Sequence, residues 1–286
     1  MANEYANDRD SMSKQIVTHG VAMAGDVRIA YQTSGEGPPL VCCHAMGWDH
    51  TLWDFHRARF SASFRLITFD QRGSGDSDHP PFIDGEECLY TVDTFGDDLR
   101  AVLDELDIEK AHVIGYSMGA VSALSFATRW PERVDRLILV SSMASRLPEK
   151  MIERARIIDE MLKSSGLKNT YEFYFSGPLF EGESNKKEFK EKVGRVIEKA
   201  TLHGFQGCFR VTIDRPSMVD ELKKIQASTL VLVGERDEHY LIEADLLVEE
   251  IPQAKKVVVK NAGHALTAQS PDSFEAEVLK FLTVKS

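Results

Sequence analysis

Short, continuously apolar runs alternate with segments whose apolar residues recur every three or four positions, and this alternation predicts most of the chain. Residues 16–22 and 27–32 flank a turn containing Gly25 and read as a hairpin, and 40–44 form a third strand that ends at Gly47. From there the pattern becomes parallel. Residues 65–69 form a strand, 93–106 an amphipathic helix and 111–116 a further strand. A helix over 120–129 stops at Trp130-Pro131. Strands over 136–140, 229–233 and 256–259 follow, the last two each leading into a helical segment. Strands that are apolar throughout are buried on both faces. The chain is therefore expected to be α/β: a doubly wound, mostly parallel sheet between helices, with its site along the strands' carboxyl ends.

One stretch breaks the alternation. Between residues 143 and 223 no strand pattern appears, whereas Met151, Ala155, Ile158 and Leu162 keep helical spacing, as do Phe189, Val193, Val196 and Ala200. This predicts a helical cap over 143–223, inserted after the sixth strand into a core domain formed by 14–142 and 224–286. Tyr171, Phe173, Tyr174 and Phe175, with Phe205 and Phe209, either wall an apolar pocket or fill the cap's own core.

The chemistry centres on Gly115-Tyr116-Ser117-Met118-Gly119, a G-x-S-x-G sequence wedged between strand and helix. A chain that turns from strand to helix within one residue strains that residue, and small neighbours give it room. Ser117 would then stand clear at the strand end. A serine hydroxyl needs a base, and the base needs a carboxylate to fix its tautomer. The strand ending at 233 is followed by Gly234-Glu235-Arg236-Asp237, and the one ending at 259 by Asn261-Ala262-Gly263-His264. The order Ser117, Asp237, His264 is the one used on doubly wound sheets. Glu235 and Glu238 compete with Asp237 for the acid role, and His264 competes with the default of a surface-loop histidine. An oxyanion hole needs two amides. Met118, in the helix's first turn, offers one; Met46, in the turn His44-Ala45-Met46-Gly47, offers the other.

Charge and composition narrow the partners. The chain has 286 residues, 43% of them apolar, and a net charge of −11. That length buries a full core. Lys and Arg are interspersed with acids, so nucleic acid and anionic membranes are poor partners and a partly apolar small-molecule substrate is expected. Residues 1–13 are polar, no run approaches a membrane span, and Cys42, Cys43, Cys88 and Cys208 show no disulfide framework, which points to the cytoplasm. Adjacent Cys42 and Cys43 read as small core residues on opposite faces of a strand. No ligand spacing for a metal appears, and no metal or cofactor is expected. Asp70 and Arg72 read as braces of a Gly-rich turn. Arg210 and Arg215 either meet a substrate carboxylate or lie on the cap surface.

These motifs together resemble the α/β-hydrolase fold family. The resemblance is carried by His44 to Gly47, Asp70-Gln71-Arg72-Gly73-Ser74-Gly75-Asp76-Ser77, Gly115 to Gly119, Gly234 to Asp237 and Gly263-His264. It covers nearly all of the chain outside the cap. The first turn, with Trp53 and the Cys208 region, is most similar to the 3-oxoadipate enol-lactone hydrolase branch of serine esterases and lactonases. Four positions depart from the family pattern: Ala45 where glycine is usual, Leu241 where proline is frequent, Gln269 where an acid is common, and Ala120 where a second glycine is frequent. The resemblance implies a cofactor-independent serine hydrolase of carboxylic esters or lactones, with Ser117, Asp237 and His264 catalytic and Met46 and Met118 holding the oxyanion. Alternatives are a carbon–carbon bond hydrolase of the same fold, or a small-ligand receptor that retains the triad.

Overall fold

A computed structural model describes residues 16–83, 88–183 and 186–284. The reading of residues 1–13 falls outside that range. Eight strands make one sheet in the order β1-β2-β4-β3-β5-β6-β7-β8. β1 (Val17–Ala24) and β2 (Val27–Ser34) form the expected hairpin, and β2 also pairs antiparallel with β4 (Arg65–Phe69). Every other pairing is parallel, through β3 (Pro39–Cys43), β5 (Ala111–Tyr116), β6 (Val134–Val140), β7 (Ser228–Gly234) and β8 (Ala254–Val259). The chain has the α/β-hydrolase fold, and the doubly wound α/β class read from the apolar runs is the one observed.

The central strands are buried over almost their whole length, β5 completely, because helices cover both faces. On one face pack α1 (Asp54–Ser61), α9 (Pro271–Thr283) and the helices of the cap; on the other lie α2 (Val92–Glu105), α3 (Met118–Arg129) and α7 (Glu238–Glu250). Cys42 and Cys43 divide between these two cores, as strand alternation requires. Burial pushes both thiols well above the ordinary cysteine pKa, which leaves them protonated and inert.

Local chemistry explains where the elements begin. α2 opens with a reciprocal cap: the Thr91 hydroxyl accepts from the Thr94 amide, and the Thr94 hydroxyl accepts from the Thr91 amide. Phe95, Leu99, Val102 and Leu103 then place one stripe on the core. α1 had no counterpart in the pattern. Its sequence DFHRARFS buries only His56, Phe60 and Ser61, too few apolar residues to show a period.

Between β6 and β7 the chain makes the helical cap. α4 (Glu149–Phe175) changes direction at Gly166, whose φ of 76° only glycine adopts without strain. α5 (Lys187–Lys199) and α6 (Leu202–Asp214) complete the cap. The spacing seen in the sequence is the buried stripe: Ala155, Ile158 and Leu162 on α4, Phe189, Val193 and Val196 on α5. Among the described residues no helix is long and apolar enough to cross a membrane.

Candidate active site

The turn from β5 to α3 holds Ser117 at φ 53° and ψ −113°, a region that residues with a Cβ rarely occupy. Glycines on either side make room for it. A Cβ on Gly119 would lie 2.2 Å from the carbonyl oxygen of Cys43, and one on Gly115 would lie 2.7 Å from the Ala120 Cα. The Ser117 amide donates to Val140 O at 2.9 Å, so β6 pins the turn from one side. The strain thus sits inside a frame of backbone contacts that the two glycines permit.

Two later loops complete a chain of side chains. Ser117 Oγ lies 3.0 Å from His264 Nε2, and His264 Nδ1 lies 3.0 Å from Asp237 Oδ2. Both contacts are satisfied by one tautomer, with the proton on Nδ1 donated to the carboxylate and the Ser117 hydroxyl donating to Nε2. Asp237 and His264 are buried; Ser117 remains half-buried. The rival carboxylates are placed elsewhere. Glu235 Oε2 accepts from the Asn261 amide, bracing the His264 loop, and Glu238 opens α7. The His264 carbonyl is itself held, accepting from the Tyr116 hydroxyl at 2.8 Å and from Ser141 Oγ at 3.4 Å.

Sequence reasoning missed Tyr240, one helical turn past Asp237. Its ring centroid lies 4.4 Å from that of His264, tilted by 44°. Burial pushes the Tyr240 hydroxyl pKa up, and the Asp237 charge adds to the rise. The only signal in the chain was position: three residues after the acid, in the first turn of a helix that faces the site.

The loop after β3 is propped from beneath. His44 Nδ1 donates to Ala45 O at 2.9 Å, and its Nε2 accepts from the Gln71 amide at 3.0 Å. Gln71 Nε2 donates to the His44 carbonyl, and Ser122 Oγ donates to Gln71 Oε1. Burial lowers the His44 pKa, in keeping with the neutral ring these contacts need. Met46 and Met118 are both buried. Met118 is the first residue of α3, so its amide has no intrahelical acceptor. Among the described residues neither the Met46 nor the Met118 amide donates a hydrogen bond.

The cap aromatics divide between two roles. Tyr171, Phe175, Phe205 and Phe209 are buried against one another, with Tyr171 and Phe205 centroids 4.7 Å apart, while Phe173 is exposed. The cavity beside the His264 loop, about 220 Å³, is instead walled by Trp48, Phe180 and Phe189, together with Ala265, Thr267 and Ala268. Lys192 also lines it, over the Phe55 ring, and burial lowers its pKa to about 8. Arg210 pairs with Asp159 and Asp214, and Arg215 donates to the Met143 and Ala144 carbonyls. Arg215 is buried, not on the cap surface.

Asp49, His50 and Asp70 each bring one potential metal-ligand atom within 4.8 Å of the others. The His50 ring is already satisfied on both sides. Nδ1 donates to Asp70 at 2.8 Å, and Nε2 accepts from Gln32, whose amide is oriented by Arg57. Asp70 also accepts from the His50 and Asp76 amides, which makes the cluster a brace for the Gly-rich turn.

A family model described as alpha/beta hydrolase fold matches residues 38–175. A protein of Bacillus subtilis (strain 168) is 28% identical over 266 residues, covering 89% of this chain and 95% of its own; its name assigns it provisionally as a 2-succinyl-6-hydroxy-2,4-cyclohexadiene-1-carboxylate synthase. The 3-oxoadipate enol-lactonase 2 of Acinetobacter baylyi is 27% identical over 262 residues, covering 89% of this chain and 93% of its own. Among solved structures, a thermophilic esterase from Thermogutta terrifontis is 25% identical with a TM-score of 0.78, covering 93% of this chain and 98% of the other.

Proposed function

On the premise that the chain is a member of the α/β-hydrolase fold family, we propose that it hydrolyses carboxylic esters or lactones through an acyl-enzyme on Ser117. The observation that carries this reading is the unbroken chain of contacts from Ser117 Oγ through His264 to Asp237, at 3.0 Å for each link. Ser117 attacks the carbonyl carbon as His264 Nε2 takes its proton, and the Asp237 carboxylate stabilises the imidazolium that forms. Negative charge gathers on the carbonyl oxygen, where the Met46 and Met118 amides receive it. His264 then gives the proton to the leaving alkoxide; in the second half-reaction it takes one from the water that attacks the acyl carbon and returns it to Ser117 Oγ as the acyl group leaves. No step calls for a metal or cofactor.

The acid assignment is testable against its rivals. Asp237→Asn keeps the shape but favours the wrong imidazole tautomer, so ester turnover is expected to fall by about 10³–10⁴-fold. Glu238→Gln is expected to stay within about threefold, since among the described residues the carboxylate that pairs with His264 is Asp237 and Glu238 forms no hydrogen bond or ion pair with it. Steady-state hydrolysis of p-nitrophenyl butyrate by folded variants checks both. An Asp237→Asn enzyme as active as wild type overturns the assignment.

The carbon–carbon hydrolase alternative uses the same serine and histidine. A substrate panel separates them: preferred turnover of a vinylogous 1,5-diketone over every ester and lactone favours that reading. Tight ligand binding that raises the melting temperature, with no ester turned over, favours a receptor.

A further inference from the structure

The cavity beside the His264 loop has walls from two parts of the fold. Phe180 and Phe189 come from the cap, and Ala265, Thr267 and Ala268 come from the segment that follows His264. One side chain joins these walls directly. Gln269 ends α8 (Leu266–Gln269); its Oε1 accepts from the Gly263 amide at 2.5 Å, and its Nε2 donates to the carbonyl of Glu181 at 2.9 Å. Gly263 immediately precedes His264, and Glu181 immediately follows Phe180 in the cap turn.

We propose that Gln269 is a positioning residue that latches the cap to the histidine loop, so that the cap wall of the cavity and the base are set in register. The partners fix the orientation of the amide, because an N–H must meet a carbonyl and a C=O must meet an N–H. Only a group that donates at one end and accepts at the other fills this place. A glutamate carboxylate would still accept from Gly263, but it would turn a second lone pair toward the Glu181 carbonyl and repel it. The amide is thus the minimal change that lets one side chain serve both neighbours.

The consequence is coupling. A ligand that fills the cavity presses both on Phe180 and Phe189 of the cap and on the segment beginning at Ala265. With the latch closed, displacement of the cap turn is transmitted through two hydrogen bonds to the residue before His264. With it open, the cap turn moves without the loop. The description of His264 as the base rests on the proposed hydrolase reading; the latch itself does not.

The test uses Gln269→Glu, which keeps the Gly263 contact and cuts the cap contact, and Gln269→Met, which keeps the bulk and cuts both. Amide hydrogen exchange is read over residues 178–183 and at Gly263 in the wild type and both variants. Loss of one hydrogen bond is expected to speed exchange about fivefold. The cap turn should exchange faster in both variants, and Gly263 faster only in Gln269→Met. In the same preparations, KM for p-nitrophenyl esters with a long acyl chain should rise about fivefold in both variants. The kcat for p-nitrophenyl acetate, which carries no long acyl chain, should fall only in Gln269→Met. Unchanged exchange over 178–183 in Gln269→Glu overturns the latch, as does faster Gly263 exchange in that variant. If the wild type turns over no ester, the hydrolase reading fails while the exchange data still decide the latch.

Discussion

Ser117→Ala is expected to abolish the stoichiometric burst with p-nitrophenyl acetate and to lower kcat by up to about 10⁶-fold, leaving only the slow reaction that the oxyanion donors and binding can support. The reason is chemical. His264 would retain its contact with Asp237 but would have no hydroxyl to deprotonate, and no covalent intermediate could form. The loss should come with little change in folding. Position 117 keeps its left-handed backbone with alanine, as with serine, and its amide still donates to Val140 O. Circular dichroism and melting temperature should therefore match the wild type, while an active-site serine probe labels the wild type one to one and the variant not at all. A variant that still labels at the same rate would place the nucleophile elsewhere. A folded wild type that neither bursts nor labels would remove the hydrolase reading and leave the receptor reading standing.

Much of the fold was legible because the strands of a parallel sheet are buried on both faces and so appear as uninterrupted apolar runs. The candidate residues that follow those runs were legible for the same reason. Ser117, Asp237 and His264 each stand just past a strand, so the periodicity that located the strands also located them. Helices with few buried residues left no such trace, as α1 shows with three of its eight residues buried. Roles that depend on helix-to-helix packing were hidden too. Tyr240 meets His264 only because α7 leans on the site, and Phe180 and Phe189 wall the cavity while Phe205 and Phe209 fill the cap's interior. Arg215 stood open between a substrate contact and the cap surface because nothing in its sequence neighbourhood shows that the chain before α4 supplies carbonyls to bury it. Gln269 was visible as a departure from the family pattern. Its second hydrogen-bond partner, 88 positions away, was not.

The largest expected effect on stability lies away from the reacting atoms, in the pair that fixes the Gly-rich turn to α2. Arg72 donates to both carboxylate oxygens of Asp98, with its Nη2 2.6 Å from Oδ1, and its backbone amide donates to Oδ2 at 3.1 Å. Its Nη1 holds the Leu89 carbonyl, and the Asp98 side chain is completely buried. Arg72→Met would leave an uncompensated carboxylate in the core, at a cost of about 3–5 kcal/mol, which for a chain of this size lowers the melting temperature by roughly 10 °C. The cost must depend on pH. Burial already raises the Asp98 pKa above its ordinary value, and the Arg72 hydrogen bonds and charge are what oppose the rise. Without them the folded pKa climbs further from the unfolded value near ~3.9. For a group raised in the folded state, the favourable contribution is full below the unfolded pKa and is lost as pH rises through the folded one. The gap between Arg72→Met and wild type should therefore be widest at pH 8 and narrow steadily toward pH 4. Adding Asp98→Asn to Arg72→Met removes the buried charge and should recover part of the loss while flattening the pH dependence. Thermal melts across that range, for the two single variants and the double, read the coupling directly; equal gaps at pH 5 and pH 8 would show that the lost stability comes from the lost hydrogen bond to the Leu89 carbonyl and not from the buried charge.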